Sequence, residues 1–172
     1  MDPVQMRIKN SSFEHHAQIL EVWEKSVRAS HHFLNIQQID QIKILITQHD
    51  YFSHVQLFHI ELNQQIIAFT GLAYEKIEML FVDPQYFGQG LGTKLIQHAF
   101  SLGVNAVDVN QRNPQALSFY QKHGFQQIAR SELDAEGRPF PILHLKRKND
   151  EIYNLENQAL QQKLQPCYSI DH

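Results

Sequence analysis

The sequence predicts one mixed α/β domain over residues 1–148, followed by a C-terminal extension, and three observations support this prediction. The chain has 172 residues, of which 42% are hydrophobic, and this is enough apolar material for one domain with a real core. Stretches that alternate between apolar and polar residues are interspersed with stretches of helical periodicity. Turn residues separate them, in the order β-α-α-β-β-β-α-β-α-β-β.

The first three elements are a strand and two helices. Residues 5–10 (QMRIKN) alternate and predict a strand. Ser11 and Glu14 then have the S-x-x-E spacing of a capping box, and apolar residues at helical spacing extend a helix to about Ser30. Asn35 is the predicted N-cap of a second helix. The residues expected to face the core from that helix are Ile36, Ile39, Ile42 and Ile46.

Three consecutive strands are predicted in the middle of the chain. Residues 54–62 alternate, Asn63-Gln64 provides a turn, and residues 65–74 return as the partner strand. A third run covers residues 76–82 and is ended by Asp83-Pro84, because proline cannot continue a strand ladder. This part of the domain is therefore expected to be an antiparallel meander.

The second half of the domain begins with a helix that follows a glycine-rich loop. Its apolar face is expected to run from Leu91 to Leu102, and Gly103 ends it. A short strand over residues 106–110 follows. Asn113 then caps a helix whose first residue is Pro114, where the missing N–H costs nothing.

A closing hairpin and a polar extension complete the chain. Gly124 ends the last predicted helix, and strands near residues 125–133 and 140–147 flank a turn at 134–137. Residues 149–172 are polar and glutamine-rich, with a patchy apolar stripe, so they are predicted to be either an added helix or a frayed tail. A protein-interaction adaptor is a third functional hypothesis that rests on this extension alone.

Composition and charge exclude several functional classes. The net charge of −3 provides no global field for nucleic acid, and no apolar run is long enough to span a membrane. The only cysteine, Cys167, and the N-terminus without a secretory signal favour a cytoplasmic location. Eleven histidines occur without the spacing of a metal site, so no metal cofactor is expected. The chain is expected to be a monomer or a homodimer.

The stretch "DPQYFGQGLGTKLIQHA" carries the main chemical signal. A strand that passes through glycines into the N-terminus of a helix presents free amides and the positive end of the helix dipole to an anion. The spacing G-x-G-x-G does not fit a Walker A or a Rossmann loop. Two interpretations stay open: a loop that binds the pyrophosphate of coenzyme A, and a glycine-rich turn without a ligand. The residues predicted to hold a phosphate or pyrophosphate are Gly88, Gln89, Gly90, Leu91, Gly92, Thr93 and Lys94.

In this context the sequence resembles the GNAT superfamily of acetyl-CoA-dependent N-acetyltransferases. The matching stretches are "MLFVDPQYFGQGLGTKLIQHA", "VNQRNPQALSFYQKHGF" and "ARSELDAEGRPFPILHLK". A fourth, "SVRASHHFL", is similar to the YjaB-like group of small bacterial acetyltransferases. The resemblance covers residues 5–147. It implies a transferase that moves an acetyl group from acetyl-CoA to a primary amine of a small molecule or a peptide.

The resemblance also implies how the cosubstrate is held and how it reacts. A splayed strand over residues 78–82 is expected to bind the pantetheine arm through main-chain groups, in the manner of an added β-strand. The amine is expected to attack the thioester directly in a ternary complex, without an acyl-enzyme. Besides the loop, the cofactor-binding residues predicted in this way are Leu80, Phe81, Val82, Asn110 and Asn113.

The resemblance to the superfamily also indicates which residues react. Tyr120 occupies the position of the family's catalytic tyrosine, and a phenol is protonated at neutral pH, so it can protonate the departing thiolate. For the base there are two candidates, Glu78 on the binding strand and His31 in the connection between the first two helices. Ser30 and His31 are also predicted to contact the acceptor, because this connection borders the acceptor cleft in the superfamily.

Phe87 is the one departure from the family pattern. A glutamine or arginine usually occupies this place before the loop, so one side-chain contact to the cosubstrate is lost. The loop amides remain, and binding is expected to persist. A non-catalytic module that binds coenzyme A is therefore the alternative function.

Overall fold

The structure is a computed structural model that describes residues 6–148; the predicted extension over 149–172 lies outside the described residues. The strands are β1 (Ile8–Asn10), β2 (Gln56–Leu62), β3 (Gln65–Ala73), β4 (Lys76–Val82), β5 (Ala106–Asn110), β6 (Phe125–Ser131) and β7 (Ile142–Arg147). The helices are α1 (His16–Ser30), α2 (Ile36–Gln48), α3 (Leu91–Ser101) and α4 (Pro114–Lys122). The predicted mixed α/β order is confirmed.

All seven strands form one sheet in the order β1-β2-β3-β4-β5-β7-β6. Neighbouring strands are antiparallel except for β4 and β5, which are parallel. The parallel ladder is short: it pairs Lys76 with Ala106 and Ile77 with Val107, and no further pair follows in this ladder. Beyond this point the two strands separate, and the sheet opens into a V-shaped gap.

Helices cover the two faces of the sheet. Helices α1 and α2 pack one apolar face, around Trp23 and Ile39, against Phe69 of β3. Helices α3 and α4 pack on the opposite face, where Ile96 and Tyr120 belong to a cluster with residues of β5 and β7. The sheet is therefore covered by helices on both faces.

The predicted elements are confirmed, but several strands are shorter than predicted: β2 begins at Gln56, not 54, β6 ends at Ser131, not 133, and β7 begins at Ile142, not 140. Three further details, of caps and helix faces, are wrong. The first helical turn is capped by Ser12, not Ser11: the Ser12 amide donates to His15 Nδ1 at 2.9 Å, whereas Ser11 Oγ lies 2.8 Å from His59 Nδ1. Ile36 is 70% exposed because it occupies the first position of α2, before the helix reaches the core. Leu102 is also exposed, since it is the C-cap that follows the last turn of α3.

Two helix caps and the β2–β3 turn agree with the sequence prediction. Asn35 accepts the Gln38 amide, and Asn113 accepts the Ala116 amide at 3.1 Å. Asn63 and Gln64 both have positive φ, as expected for a tight hairpin turn. No helix within residues 6–148 is long and apolar enough to span a bilayer.

Candidate active site

A cleft of about 880 Å³ occupies the gap between β4 and β5. The glycine loop, residues 88–92, and the N-terminus of α3 border one end of it. The connection between α1 and α2 and the loop between β6 and β7 border the other end. We call these the donor side and the acceptor side. The cleft therefore connects an anion-binding loop with a second, side-chain-rich opening.

The donor side offers main-chain amides. The Lys94 amide donates to Gly90 O at 3.0 Å, and this bond opens the hydrogen-bond ladder of α3. The amides of the preceding first turn therefore have no helical partner, as at every helix N-terminus. They point out of the helix together with the positive end of its dipole. This geometry suits a phosphate or pyrophosphate group.

The three glycines of the loop have different functions. Gly88 and Gly90 adopt positive φ values of 75° and 80°, and an added Cβ would meet no atom within 4 Å at either position. They are needed for the backbone turn, and they leave space beside it. Gly92 is different: an added Cβ would lie 3.3 Å from the Phe119 ring. This glycine lets α3 and α4 approach each other closely.

The structure brings nearly all predicted site residues to the cleft. Those lining it are Ser30, His31, Glu78, Leu80, Phe81, Val82, Gly88, Gly90, Leu91, Gly92, Thr93, Asn110, Asn113 and Tyr120. Gln89 and Lys94 are the two exceptions. The Lys94 ammonium donates to the carbonyl oxygen of Met6, so it is held away from the loop. Phe87 is 47% exposed at the rim of the cleft.

Tyr120 lies on α4 where the donor and acceptor sides meet. It is only 7% exposed, packs against Phe119 and Phe125, and still lines the cleft. Burial raises the pKa of the Tyr120 phenol above its ordinary value. The hydroxyl is therefore protonated at any physiological pH, as a proton donor must be.

His31 is held in one tautomer by its neighbours. Ser30 Oγ donates its single proton to Ser26 O at 2.7 Å, so it can only accept from His31 Nδ1, 2.9 Å away. Nδ1 therefore carries the hydrogen, and Nε2 has a free lone pair. This lone pair faces Nδ2 of Asn113 at 3.5 Å, and the Asn113 Oδ1 is already engaged with the Ala116 amide.

The electrostatics of the two candidate bases differ. Burial lowers the pKa of His31 to about 4, and the charge of His32 acts in the same direction. Burial raises the pKa of Glu78, and Asp108 adds to the rise while Lys76 opposes it. The β3–β4 register skips Glu78, which makes it the extra residue of a β-bulge. Such a bulge redirects a side chain, and here Glu78 lines the cleft.

Several residues of the acceptor side were not predicted from sequence. Phe33 and Gln38 line it from the α1–α2 side, and Arg138 and Phe140 line it from the β6–β7 loop. The Arg138 side chain binds Asp134 and Glu136 and lies 5.8 Å from the centre of the Phe140 ring. A loop has no periodicity that would mark such residues, so only their shared position in space identifies them.

Within residues 6–148, no group of His, Cys, Asp and Glu side chains is arranged to bind a metal.

Comparison with known proteins gives a consistent result. A model of the acetyltransferase (GNAT) domain matches residues 53–127. The chain is 34% identical over 142 residues to the peptidyl-lysine N-acetyltransferase YjaB of Salmonella typhimurium, covering 81% of this chain and 97% of that protein. It is 33% identical over 141 residues to the Escherichia coli protein of the same name, covering 80% and 94%.

The fold comparison agrees. The solution structure of the apo form of YjaB from Escherichia coli superposes with a TM-score of 0.73 at 32% identity. The match covers 82% of this chain and 96% of that structure. The α/β fold with its mixed seven-stranded sheet is therefore shared with that protein.

Proposed function

The chain belongs to the GNAT family of acetyl-CoA-dependent N-acetyltransferases, and from this premise we propose that its acceptor is a lysine side chain of a peptide or protein. The named relatives are peptidyl-lysine N-acetyltransferases, and the alignment covers nearly their whole length. The lysine acceptor rests on these relatives, and one observation of the structure supports the acetyl transfer itself. The anion-binding loop, the open edge of β4 and Tyr120 all meet in a single cleft.

The donor side binds acetyl-CoA through the main chain. The amides of residues 88–93 hold the pyrophosphate at the N-terminus of α3. The part of β4 beyond Ile77 has no ladder to β5, so its main-chain groups at Leu80 and Val82 are available to the pantetheine arm. The thioester is thereby directed along β4 toward Tyr120.

The amine attacks the thioester carbonyl directly in the ternary complex. A carbon–nitrogen bond forms, the carbon–sulfur bond breaks, and the sulfur leaves as a thiolate. Tyr120 gives its phenolic proton to this thiolate. The proton that the nitrogen loses as the amide forms passes to the base Glu78, and solvent returns a proton to Tyr120. A phenol is already protonated at neutral pH with its ordinary pKa, and burial raises the pKa of Tyr120 further, so the proton is in place before every turnover.

Glu78 is the better candidate for the base, and His31 for binding the amine. A lysine ammonium titrates near ~10.4, so a useful base needs a pKa shifted upward. The pKa of Glu78 is raised, whereas that of His31 falls to about 4, which makes it a weak base. The Nε2 lone pair of His31 faces only the Asn113 amide nitrogen, at 3.5 Å, and an amine N–H can replace this long contact. Ser30 supports this orientation through Nδ1.

The proposal is tested by calorimetric titration with acetyl-CoA, followed by assays of thiol release. A lysine-containing peptide is compared with the same peptide carrying acetyl-lysine, and with a panel of small amines. We expect binding, and thiol release with the free lysine peptide only. Binding without release for any amine would instead favour the non-catalytic module, for which Phe87 is the argument. Absence of binding would contradict the donor site itself.

A further inference from the structure

Four polar side chains form a row across adjacent strands next to the cleft. They are Lys76 on β4, Asp108 on β5, His144 on β7 and Ser131 on β6, and we call them the polar row. Asp108 pairs directly with His144 in the β5–β7 register. In the β6–β7 register His144 pairs with Ala129, and Ser131 is two residues further along β6. All four residues are at least partly exposed, and the amine transfer described above uses none of them as a reacting group.

The hydrogen bonds of the polar row have a defined direction. Asp108 Oδ1 lies 2.7 Å from His144 Nδ1, and Ser131 Oγ lies 2.7 Å from His144 Nε2. Burial alone would raise the pKa of Asp108, but the hydrogen bonds from Lys76 and His144 outweigh it and lower the pKa. The carboxylate is therefore ionised and accepts the Nδ1 hydrogen. Nε2 is left with a lone pair that accepts the Ser131 hydroxyl.

The other serine–histidine contacts within the described residues lack this third member. One is Ser30–His31, where the second ring nitrogen of His31 faces Asn113 Nδ2 instead of a carboxylate. Ser11 contacts His59 at 2.8 Å, but the Glu61 carboxylate is 3.8 Å from the other ring nitrogen of His59. Ser12 contacts His15, where the Glu14 carboxylate is 3.9 Å away. Within residues 6–148, Ser131–His144 is the serine–histidine contact whose second nitrogen is hydrogen-bonded to a carboxylate. This is the connectivity by which a hydroxyl becomes a nucleophile.

We propose that Ser131, His144 and Asp108 form a second acyl-handling site, at which small activated esters acylate Ser131 and water then hydrolyses the acyl-serine. Ser131 Oγ attacks the acyl carbon, and its proton passes to His144 Nε2. The bond from the acyl carbon to the alcohol oxygen breaks, and that oxygen takes the proton from His144. Water then attacks the acyl-serine and gives one proton to Nε2, which returns it to Ser131.

The position of Ser131 is suited to this reaction. It is the last residue of β6, which is an edge strand of the sheet, so main-chain amides on its outer side have no strand partner among residues 6–148. Such amides can donate to the oxygen of a tetrahedral adduct. Lys76 Nζ donates to Asp108 Oδ2 at 2.8 Å, and this hydrogen bond keeps the other carboxylate oxygen oriented toward His144.

The test uses the full chain and p-nitrophenyl acetate, without acetyl-CoA. We expect turnover that falls by about tenfold or more in Ser131→Ala, the size of effect expected when an activated nucleophile is lost. A matched control is Ser11→Ala, which removes a serine in contact with a histidine outside the polar row and is expected to leave the rate unchanged. Acetyl transfer to the lysine peptide is expected to continue in Ser131→Ala.

A second measurement does not depend on the folding of any variant. The wild-type chain is treated with a fluorophosphonate, and the modified peptide is mapped by mass spectrometry; we expect the label on Ser131. If the label is absent from Ser131, or if Ser131→Ala hydrolyses the ester at the wild-type rate, the polar row is only a structural feature and the proposal is overturned.

Discussion

The donor side and the acceptor side of the cleft are built in different ways. The donor side consists mainly of main-chain groups from one continuous stretch, residues 76–93, which runs through β4 and the glycine loop into α3. The acceptor side consists of side chains from distant parts of the chain, such as His31, Gln38 and Phe140. Main-chain donors survive most substitutions, whereas side chains set specificity. The donor side should therefore tolerate change better than the reacting groups do.

The largest expected effect concerns Tyr120, where the two sides meet. Tyr120→Phe keeps the buried ring but removes the proton donor, and we expect kcat to fall by about 10², within the usual range for a general acid. The Kd for acetyl-CoA should change little, because the loop amides remain. Steady-state kinetics with the lysine peptide measure both effects.

A matched control for this substitution is Tyr74→Phe. Tyr74 is fully exposed in the turn between β3 and β4, so loss of its hydroxyl should have no effect on kcat. A rate close to that of the wild type in Tyr120→Phe would remove the phenol from the mechanism and leave a water molecule as the acid.

The second largest effect is expected at the glycine loop. Gly90 is the N-cap of α3 with φ of 80°, a conformation that costs alanine about 1–2 kcal/mol. The loop should shift to relieve this strain and lose the alignment of its amides. We expect Gly90→Ala to weaken acetyl-CoA binding by about tenfold, as measured by calorimetry, which corresponds to about 1.4 kcal/mol.

Asparagine tolerates the left-handed conformation better than alanine does, so Gly90→Asn separates strain from the mere presence of a side chain. It should bind acetyl-CoA more tightly than Gly90→Ala, even though its side chain is larger. The opposite order would show that space beside the loop, rather than backbone conformation, decides affinity.

The same contrast explains how much could be predicted from the sequence. Residues 76–93 are predictable because strand alternation, the glycines and the helix are local signals, and β4 has the predicted bounds Lys76–Val82. The position of Lys94 was not predictable, since its partner, the Met6 carbonyl, is 88 residues away. The polar row joins residues 13 to 36 positions apart on four strands, so no local pattern marks it. Side-chain sites that depend on sheet register require the structure.

On the acceptor side, Asn113 provides a smaller and more specific test. Asn113→Asp keeps the cap of α4, because aspartate caps helices as well as asparagine does. It also places a carboxylate opposite Nε2 of His31, where the amide nitrogen now lies at 3.5 Å. An adjacent negative charge favours the imidazolium, so the pKa of His31 should rise from about 4 toward or above its ordinary value.

The change in pKa is measured by following the His31 ring signals in an NMR titration. Protonation removes the Nε2 lone pair, so activity should be lost on the acid side at a higher pH than in the wild type, whose His31 is neutral above about pH 4. Asn113→Ser is the control: serine also caps the helix but carries no charge, and the pKa of His31 should stay low. Equal profiles for both variants would show that Asn113 acts only as a cap.

The smallest expected effect concerns Phe87, and it measures how far main-chain binding suffices on the donor side. Phe87→Arg places a guanidinium at the rim, where 47% of the Phe87 side chain is exposed. Such an exposed charge near a pyrophosphate contributes little in water, so we expect a gain of about two- to fivefold in acetyl-CoA affinity, with stronger dependence on salt. Phe87→Gln, without charge, should show a smaller gain and no added salt dependence.

If Phe87→Arg binds acetyl-CoA no better than the wild type at low salt, the amides already supply the whole contact. A gain of a hundredfold would contradict the view that the donor side is a main-chain site.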